Sequence, residues 1–371
     1  MTSVITQKIE RYLSERQALG LYRSRAMDNA EPEYLDFSCN DYLSLTTDLR
    51  VKKAYQVGCE LFPIGSGGSM VLSGYHETHH QLEQDFAAAL EVDDCLLFSS
   101  GYVANLSVVS LLAHFKAHVL IDKSVHASVY DGLELAKAPY SRFLHNDVSD
   151  LVKKLYNNEN TTMIMTESVF SMSGLCAPLT EIAALGKEMV VDEAHGFGVL
   201  GPQGLGGTKA AGLTQDQVPL RVIPFGKALG ASGAIVAGKA AWIDALLQST
   251  RQPVYSTAIS PAFAYGIRET LAILRQADDR RQHLQGLIAY FRQCIQASSL
   301  LWRDSVTPIQ QLQLGCPFLA TKAARTLKHH GIKCFPIRQP TVTKQETGLR
   351  VILNYHHTQQ DIDRLFQALH S

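Results

Sequence analysis

The sequence predicts an α/β protein with a mainly parallel, doubly wound sheet, followed by a smaller C-terminal α+β domain. Two observations lead to this fold class. Between about residues 95 and 240, short apolar runs alternate with longer stretches of helical periodicity, which is the pattern of a sheet with helices on both faces. From about Pro261 the pattern changes to two long helical stretches followed by short strand-like runs.

Six apolar runs are the predicted strands of the main sheet. They cover residues 95–98, 118–121, 163–165, 189–191, 220–223 and 234–237. The run 189–191 contains β-branched residues and stops abruptly on Asp192, which is typical of a strand buried on both faces of a parallel sheet. The last run directly follows a glycine-rich turn, which leaves open an antiparallel orientation for that strand.

The chain of 371 residues favours about two domains and an additional terminal arm. We predict an arm over residues 1–45 that packs with the small domain, a large domain over 46–260 and a small domain over 261–371. The arm starts with an amphipathic helix. In the small domain we expect helices through 267–274 and 283–295, strands over 332–335 and 349–353, and a closing helix over 361–369 that Thr358 and Asp361 cap.

The segment 65–69 is the most glycine-dense part of the chain. Its composition fits a flexible linker and, equally well, a loop where the backbone passes close to a ligand or a second subunit.

Composition excludes several classes of function. The net charge is −1 and the basic residues are scattered, so nothing indicates a nucleic-acid partner. No apolar run approaches the ~18 residues of a membrane span, and no signal-peptide pattern is present, so we expect a soluble, cytoplasmic protein. Seven cysteines at wide spacings, without a Cys-x-x-Cys pair, indicate reduced thiols.

Several familiar motifs are missing from the sequence. There is no Gly-x4-Gly-Lys-Ser/Thr loop, no Gly-x-Gly-x-x-Gly after a predicted strand and no Gly-x-Ser-x-Gly elbow. Nucleoside-triphosphate, dinucleotide and serine-hydrolase functions therefore lack their usual marks.

One motif of a different class is present. His76-Glu77-Thr78-His79-His80 matches the His-Glu-x-x-His pattern of zinc peptidases. However, helical geometry puts His79 on the apolar stripe of this segment and turns His76 and His80 toward water. A zinc peptidase is therefore the less favoured alternative.

Two strand ends carry the chemistry that a pyridoxal phosphate site needs. Asp192 and His195 follow one predicted strand, and Lys227 follows the next strand along the chain. Each could be an ordinary structural residue when taken alone. Together they supply a lysine for the aldehyde of the cofactor, an acid for its ring nitrogen and an imidazole for its ring oxygen. We expect the adjacent Glu193 to point away from the ring.

Other strand ends offer complementary groups. Gly101 and Tyr102 begin a predicted helix after a strand, and the free N–H groups of such a turn bind a phosphate. A plain helix cap is the alternative interpretation. His126 follows another strand and could lie on a ring face, and the segment 166–174 offers hydroxyl groups.

The ordered set of motifs resembles the α-oxoamine synthase family of fold-type I pyridoxal-phosphate enzymes, over nearly the whole chain. The motifs include Asn40-Asp41-Tyr42-Leu43, Gly65-Ser66-Gly67-Gly68-Ser69, Ser100-Gly101-Tyr102, His126-Ala127-Ser128, Phe170-Ser171-Met172, Asp192-Glu193-Ala194-His195-Gly196, Phe225-Gly226-Lys227, Tyr255-Ser256-Thr257 and Leu349-Arg350. The resemblance implies a seven-stranded sheet and a homodimer with shared active sites.

The resemblance also implies a role for individual residues. Lys227 would carry the cofactor, Asp192 and His195 would hold its ring and His126 would stack on it, so that these four form the catalytic set. Cofactor contacts would also come from Gly101, Tyr102, Ser171 and, from the other subunit, Ser256 and Thr257. Substrate contacts would come from Asn40, Thr341, Arg350 and Arg23.

The substrates follow from the branch of the family that the motifs resemble most. That branch condenses L-alanine with a pimeloyl thioester, carried on coenzyme A or on an acyl carrier protein, in biotin synthesis. Glycine-using branches of the family remain the alternative.

The chain departs from the family pattern in several places, two of which bear on the site. The family usually has a threonine three residues before the cofactor lysine as a phosphate ligand, and this chain has Pro224, which lacks both a hydroxyl and an N–H. We therefore expect weaker cofactor binding. The arginine of the family's N-terminal arm matches Tyr22 or Arg23, depending on small shifts in the alignment.

Overall fold

A seven-stranded sheet forms the centre of the large domain in the computed structural model, which describes residues 3–19, 21–22, 25, 34–156, 162–339 and 341–371. The strands lie in the order β2-β8-β7-β6-β5-β3-β4. They are β2 (Asp94–Phe98), β3 (His118–Asp122), β4 (Tyr140–Phe143), β5 (Thr162–Glu167), β6 (Met189–Asp192), β7 (Leu220–Pro224) and β8 (Ala234–Gly238); the short β1 (Leu35–Asp36) lies outside this sheet.

The sheet confirms the predicted mainly parallel, doubly wound class. All six predicted strands are present, and β8 runs antiparallel to both of its neighbours, β2 and β7. The strand β4 was not predicted. It lies at the edge of the sheet, and three of its four residues are at least partly exposed, so its sequence lacks the continuous apolar run that marked the others.

Helices cover both faces of this sheet and build most of the second domain. They are α1 (Val4–Ala18), α2 (Leu49–Leu61), α3 (Glu77–Leu90), α4 (Gly101–His114), α5 (Ala127–Ala136), α6 (Val148–Tyr156), α7 (Leu179–Ala183), α8 (Gly207–Ala210), α9 (Ala240–Ser249), α10 (Arg251–Tyr255), α11 (Pro261–Arg275), α12 (Asp278–Ala297), α13 (Pro317–His329) and α14 (Gln359–His370).

The central strand β6 is buried on both faces. Val190 packs in a cluster with α4 and α5, while Met189 and Val191 pack in a cluster with α6 and α7 on the other face. Alternate side chains of a strand point to opposite faces, so a strand between two helical layers must be apolar throughout. Because β6 is buried and ends at Asp192, this residue lies at the carboxyl edge of the sheet, between β5 and β7.

The C-terminal part contains a three-stranded antiparallel sheet of order β11-β12-β9. Its strands are β9 (Ile309–Gln313), β11 (Phe335–Ile337) and β12 (Gly348–Ile352), and β10 (Ile332–Lys333) pairs in parallel with β1 instead. The prediction of a single strand over 332–335 is therefore wrong. The chain leaves one sheet at Cys334, whose thiol donates to the carbonyl of Arg350, before it joins the other sheet.

The strand β9 was also missed. Gln310 and Gln311 interrupt its apolar pattern, yet both are buried. Their side-chain amides donate to the backbone carbonyls of Thr307 and Glu346, which offsets part of the cost of burying them.

The segment 65–69 is an ordered loop rather than a linker. Ser66 Oγ donates to the carbonyl of Ala258, and the backbone N–H of Ala258 donates to Gly68. A Cβ on Gly74 would lie 1.9 Å from the carbonyl oxygen of Gly68, so this contact needs a glycine. The loop is thereby fixed against the segment that follows α10.

The N-terminal segment forms the predicted amphipathic helix as α1, and none of the residues of α1 is buried. The domain bounds stay a prediction. None of the helices in the described ranges is long and apolar enough to cross a membrane.

The capping box of α14 provides a test of the fold. Thr358 accepts from the N–H of Asp361 and Asp361 accepts from the N–H of Thr358, as predicted, and α14 buries four side chains. We expect Thr358→Ala to lower the free energy of unfolding by about 1 kcal/mol, measured by denaturant titration. The matched control is Ser3→Ala, which removes the cap of α1. Because α1 buries nothing, an equal loss in both variants would contradict the prediction.

Candidate active site

The candidate site lies at the carboxyl edge of β5, β6 and β7, where open α/β sheets place their ligands. Glu167 and Asp192 are register partners at the ends of β5 and β6. Lys227 lies three residues beyond β7, in the turn that connects β7 to β8. Neighbouring strand ends thus bring two acids and one amine together.

Asp192 is 4 % exposed and its carboxylate is held from two sides. One oxygen accepts from the N–H of Ala194 at 2.9 Å, and the other accepts from Asn105 Nδ2 at 2.8 Å. The same Nδ2 donates to Ser128 Oγ at 3.0 Å, and Ser128 Oγ lies 2.8 Å from His126 Nδ1. The orientations of Asp192 and His126 are therefore linked through α4 and α5.

Lys227 loses its proton more easily than an ordinary lysine. Burial lowers the pKa of its ammonium group, and the negative charge of Asp192 opposes that shift. The turn around it is closed by hydrogen bonds from Phe225 N to Gly233 O and from Gly230 N to Lys227 O. The lysine backbone is thus held between two strands of the sheet.

His195 is 5 % exposed and neutral. Burial lowers its pKa well below the usual value, and the positive charges of Lys227 and Arg350 add to the effect. Its Nδ1 lies 2.6 Å from the hydroxyl of Tyr42. As predicted, Glu193 points elsewhere and accepts from the N–H groups of Gly207 and Thr208.

The start of α4 has the form of a phosphate seat. Ser100 is the N-cap and accepts from the N–H of Val103, while the N–H groups of the first turn have no acceptor within the helix. A Cβ on Gly101 would lie 2.4 Å from the Pro224 ring, so this glycine lets α4 approach the end of β7. The ring of Tyr102 makes an edge contact with His126, and its hydroxyl donates to Asp131.

Arg350 reaches the site from β12 of the three-stranded sheet. Its Nη2 donates to Asn40 Oδ1 at 3.0 Å, and among the described residues nothing accepts from its buried Nε. Arg350 and Thr341 line a cavity of about 570 Å³ between α1 and β11. The predicted substrate residues Asn40, Thr341 and Arg350 are therefore neighbours.

These residues fit pyridoxal phosphate. A buried acid, a lysine of lowered pKa and a helix N-terminus with a close-packed glycine meet at one sheet edge. The guanidinium of Arg350 has an unpaired N–H with which to hold a carboxylate. The donor set thus matches the ring nitrogen, aldehyde, phosphate and amino-acid carboxylate that this chemistry requires.

Four other residues were predicted to contact the cofactor or the substrates. Ser171 follows β5, and its backbone N–H stabilises the charge of Glu167. Ser256 and Thr257 border a small cavity beside Ser99 in their own chain, and their role at a partner's phosphate stays a prediction. Arg23 lies outside the described residues.

The structure does not support a zinc peptidase site at residues 76–80. The helix α3 starts at Glu77, so His76 is its N-cap and does not share a helical face with His80. His76 is half-buried rather than turned to water, with its Nε2 3.2 Å from the carbonyl of Ser66. His79 is buried against the carbonyl of Ile259, and His80 is exposed, both as expected.

Three residues of the site escaped prediction as functional groups: Tyr42, Asn105 and Glu167. Each lies within or beside a quoted motif, but the sequence does not reveal that its side chain points at the site. Burial raises the pKa of Glu167 well above the usual value, and the charge of Asp192 adds to that shift. Of the three, only Asn105 had a sequence signal, since a buried amide one helical turn after Gly101 faces the same edge.

The comparisons with known proteins agree with this site. A family model described as "Aminotransferase class I and II" matches residues 32–369. A protein of Marinobacter nauticus named 8-amino-7-oxononanoate synthase is 39% identical, covering 96% of this chain and 94% of that one. The protein of the same name from Cellvibrio japonicus is 38% identical, covering 100% of this chain and 96% of its own.

Solved structures show the same fold. The crystal structure of 8-amino-7-oxononanoate synthase from Francisella tularensis matches with a TM-score of 0.82 and 30% identity, over 91% of this chain and 97% of that chain. Serine palmitoyltransferase of S. paucimobilis, solved with a bound pyridoxal phosphate–myriocin compound, matches with a TM-score of 0.90 and 25% identity, over 99% and 98% of the two chains.

The contact between Pro224 and Gly101 yields a prediction about cofactor affinity. Pro224→Thr would add a hydroxyl beside the phosphate seat, and a hydrogen bond to a charged group is worth enough for about tenfold tighter binding of pyridoxal phosphate. Equilibrium titration of the protein's fluorescence with the cofactor measures this. Pro224→Val is the control, because valine has the shape of threonine without the hydroxyl. Equal affinities of the two variants would refute the prediction.

Proposed function

Because this chain belongs to the α-oxoamine synthase group within the class I and II aminotransferase family, we propose that it joins L-alanine to a pimeloyl thioester, with pyridoxal phosphate as cofactor. The products are 8-amino-7-oxononanoate, carbon dioxide and a free thiol, in a step of biotin synthesis. The observation that carries the proposal is the meeting of Asp192 and Lys227 at one sheet edge, with Arg350 of β12 close enough for its charge to act on Lys227. The names of the relatives at 38–39% identity support the choice of substrates.

Bound pyridoxal phosphate supplies an aldehyde that forms a Schiff base with amines and a ring that accepts electrons. Asp192 would face the ring nitrogen and keep it protonated, since its carboxylate is pre-oriented by Ala194 and Asn105. The N–H groups at the start of α4 would hold the phosphate, because no intrahelical acceptor competes for them.

Lys227 would then serve twice. Its lowered pKa makes the amine available as a nucleophile, which anchors the cofactor, and as a base once alanine has displaced it. As a base it removes the proton from Cα of alanine and later returns a proton to that carbon. A carbon–carbon bond forms between this Cα and the acyl carbon while the carbon–sulfur bond breaks, and the carboxyl carbon leaves as carbon dioxide.

Arg350 and Asn40 would position the amino acid. Nη2 of Arg350 is already oriented by Asn40, and Nε is free among the described residues to take a carboxylate oxygen. Holding the carboxylate fixes which bond of Cα stands across the ring and thus which bond breaks first. The cavity that Arg350 shares with Thr341 would admit the thioester.

We further propose a homodimer with shared sites, in which the loop 65–69 and the segment 256–257 face the partner. The loop is pinned to Ala258, and the nearby Leu72 and Tyr255 are each more than three-quarters exposed, which leaves apolar surface for a second copy. The acyl group would arrive on coenzyme A or on an acyl carrier protein. The seven cysteines are all free, which supports a cytoplasmic location.

The lysine assignment has a direct chemical test. We expect borohydride reduction of the protein with pyridoxal phosphate, followed by peptide mass mapping, to find the pyridoxyl group on Lys227. Its lowered pKa makes it more reactive than exposed lysines. In Lys227→Ala the adduct should vanish from this peptide, while Lys239→Ala, at the far end of β8, should leave it unchanged. An adduct elsewhere in the wild-type protein would disprove the assignment.

The choice of substrates needs a separate test. We expect product analysis to show turnover with L-alanine and pimeloyl thioesters, and far less with glycine or acetyl thioesters. Coenzyme A and acyl carrier protein donors should be compared in the same assay. Turnover with glycine alone would move the chain to a glycine-using branch of the family, while the assignment of Lys227 would be unaffected.

A further inference from the structure

Tyr42 contacts both His195 and Arg350. Neither its motif nor the proposed reaction explains these contacts. It is fully buried, its hydroxyl lies 2.6 Å from His195 Nδ1, and that oxygen also interacts with the guanidinium of Arg350. Its backbone is fixed as well. Asp41 accepts from the N–H groups of Leu45 and Thr46, and Tyr355 N donates to the Tyr42 carbonyl.

The protonation states of the pair follow from burial. Burial raises the pKa of the Tyr42 phenol, so it keeps its proton, and burial lowers the pKa of His195, so its ring is neutral. A neutral imidazole carries one N–H, on either Nδ1 or Nε2, and the hydrogen bond made by one nitrogen decides where the proton sits.

The direction of the hydrogen bond follows from the neighbours of the phenol. The guanidinium of Arg350 can only donate, so the Tyr42 oxygen turns a lone pair toward it and the O–H points elsewhere. Two acceptors are within reach of the O–H: Asn40 Oδ1 at 3.4 Å, which also accepts from Arg350, and His195 Nδ1 at 2.6 Å. The shorter distance favours donation to Nδ1, and that arrangement leaves the proton of His195 on Nε2.

We propose that Tyr42 is a positioning residue that holds His195 in the Nε2–H tautomer, so that the imidazole donates a hydrogen bond to the ring oxygen of pyridoxal phosphate. This rests on the proposed function, in which His195 faces that oxygen. Through the same phenol, His195 is connected to Arg350, the residue proposed to hold the carboxylate of the amino acid.

Loss of the phenol has a spectroscopic consequence. Without it both tautomers of His195 become accessible, and the hydrogen bond to the ring oxygen weakens. Such a bond draws electron density from the oxygen and so lowers the proton affinity of the neighbouring Schiff-base nitrogen. Tyr42→Phe should therefore raise the pH midpoint of the visible absorbance of the bound cofactor by about 0.5–1 unit.

The experiment compares this pH midpoint in the holoenzyme of four proteins: wild type, Tyr42→Phe, His195→Gln and the double variant. The side-chain amide that His195→Gln introduces places its nitrogen where Nε2 stands and is a donor without tautomers, so Tyr42→Phe should have no effect in that background. The matched control is Tyr55→Phe, which removes a buried hydroxyl of α2 whose neighbour is Thr270 of α11. Its midpoint should equal that of the wild type.

The outcomes separate this proposal from the proposed function. A wild-type protein that forms no visible complex with the cofactor would overturn both. A normal complex whose midpoint is the same in Tyr42→Phe, or a shift that persists in the double variant, would overturn the role of Tyr42 alone. Nitrogen-15 NMR of labelled histidine in the wild-type protein gives the tautomer directly, should Tyr42→Phe fail to fold. A protonated Nδ1 on His195 would also refute the proposal.

Discussion

The carboxylate of Asp192 is the group on which the rest of the site depends. An ionised acid that is almost fully buried is costly unless hydrogen bonds replace the lost water. Here a backbone N–H and the amide of Asn105 do so, and Asn105 connects onward to Ser128 and His126. The need to satisfy one acid thereby fixes the relation of β6 to α4 and α5.

The positive charges of the site are arranged around the same acid. Lys227 and Arg350 are both partly buried, and the charge of Arg350 lowers the proton affinity of Lys227, while both charges lower that of His195. Asp192 counters that repulsion at Lys227. The site thus favours a neutral His195 and a lysine that loses its proton more easily than usual.

The fold class and the positions of the central chemistry could be predicted because each depends on local sequence. A strand buried on both faces has to be apolar, and the residue that ends it has to lie at the sheet edge, so Asp192, His195 and Lys227 could be placed at or just after neighbouring strand ends. The strands β4 and β9 were missed because edge exposure and buried glutamines obscure the apolar pattern. Tyr42 was missed as a partner of His195 because 153 residues separate them in the chain.

The antiparallel strand β8 has a consequence for Lys227. The other strand ends of the site lead into helices, whereas the turn that carries Lys227 returns directly into the sheet as a hairpin. The backbone of the lysine is therefore tethered on both sides. In the proposed reaction only its side chain would need to move when a substrate amine displaces it, and the freed amine would stay at a high effective concentration beside the reacting carbon. Recapture of the cofactor would then be an intramolecular step that free amines in solution compete with poorly.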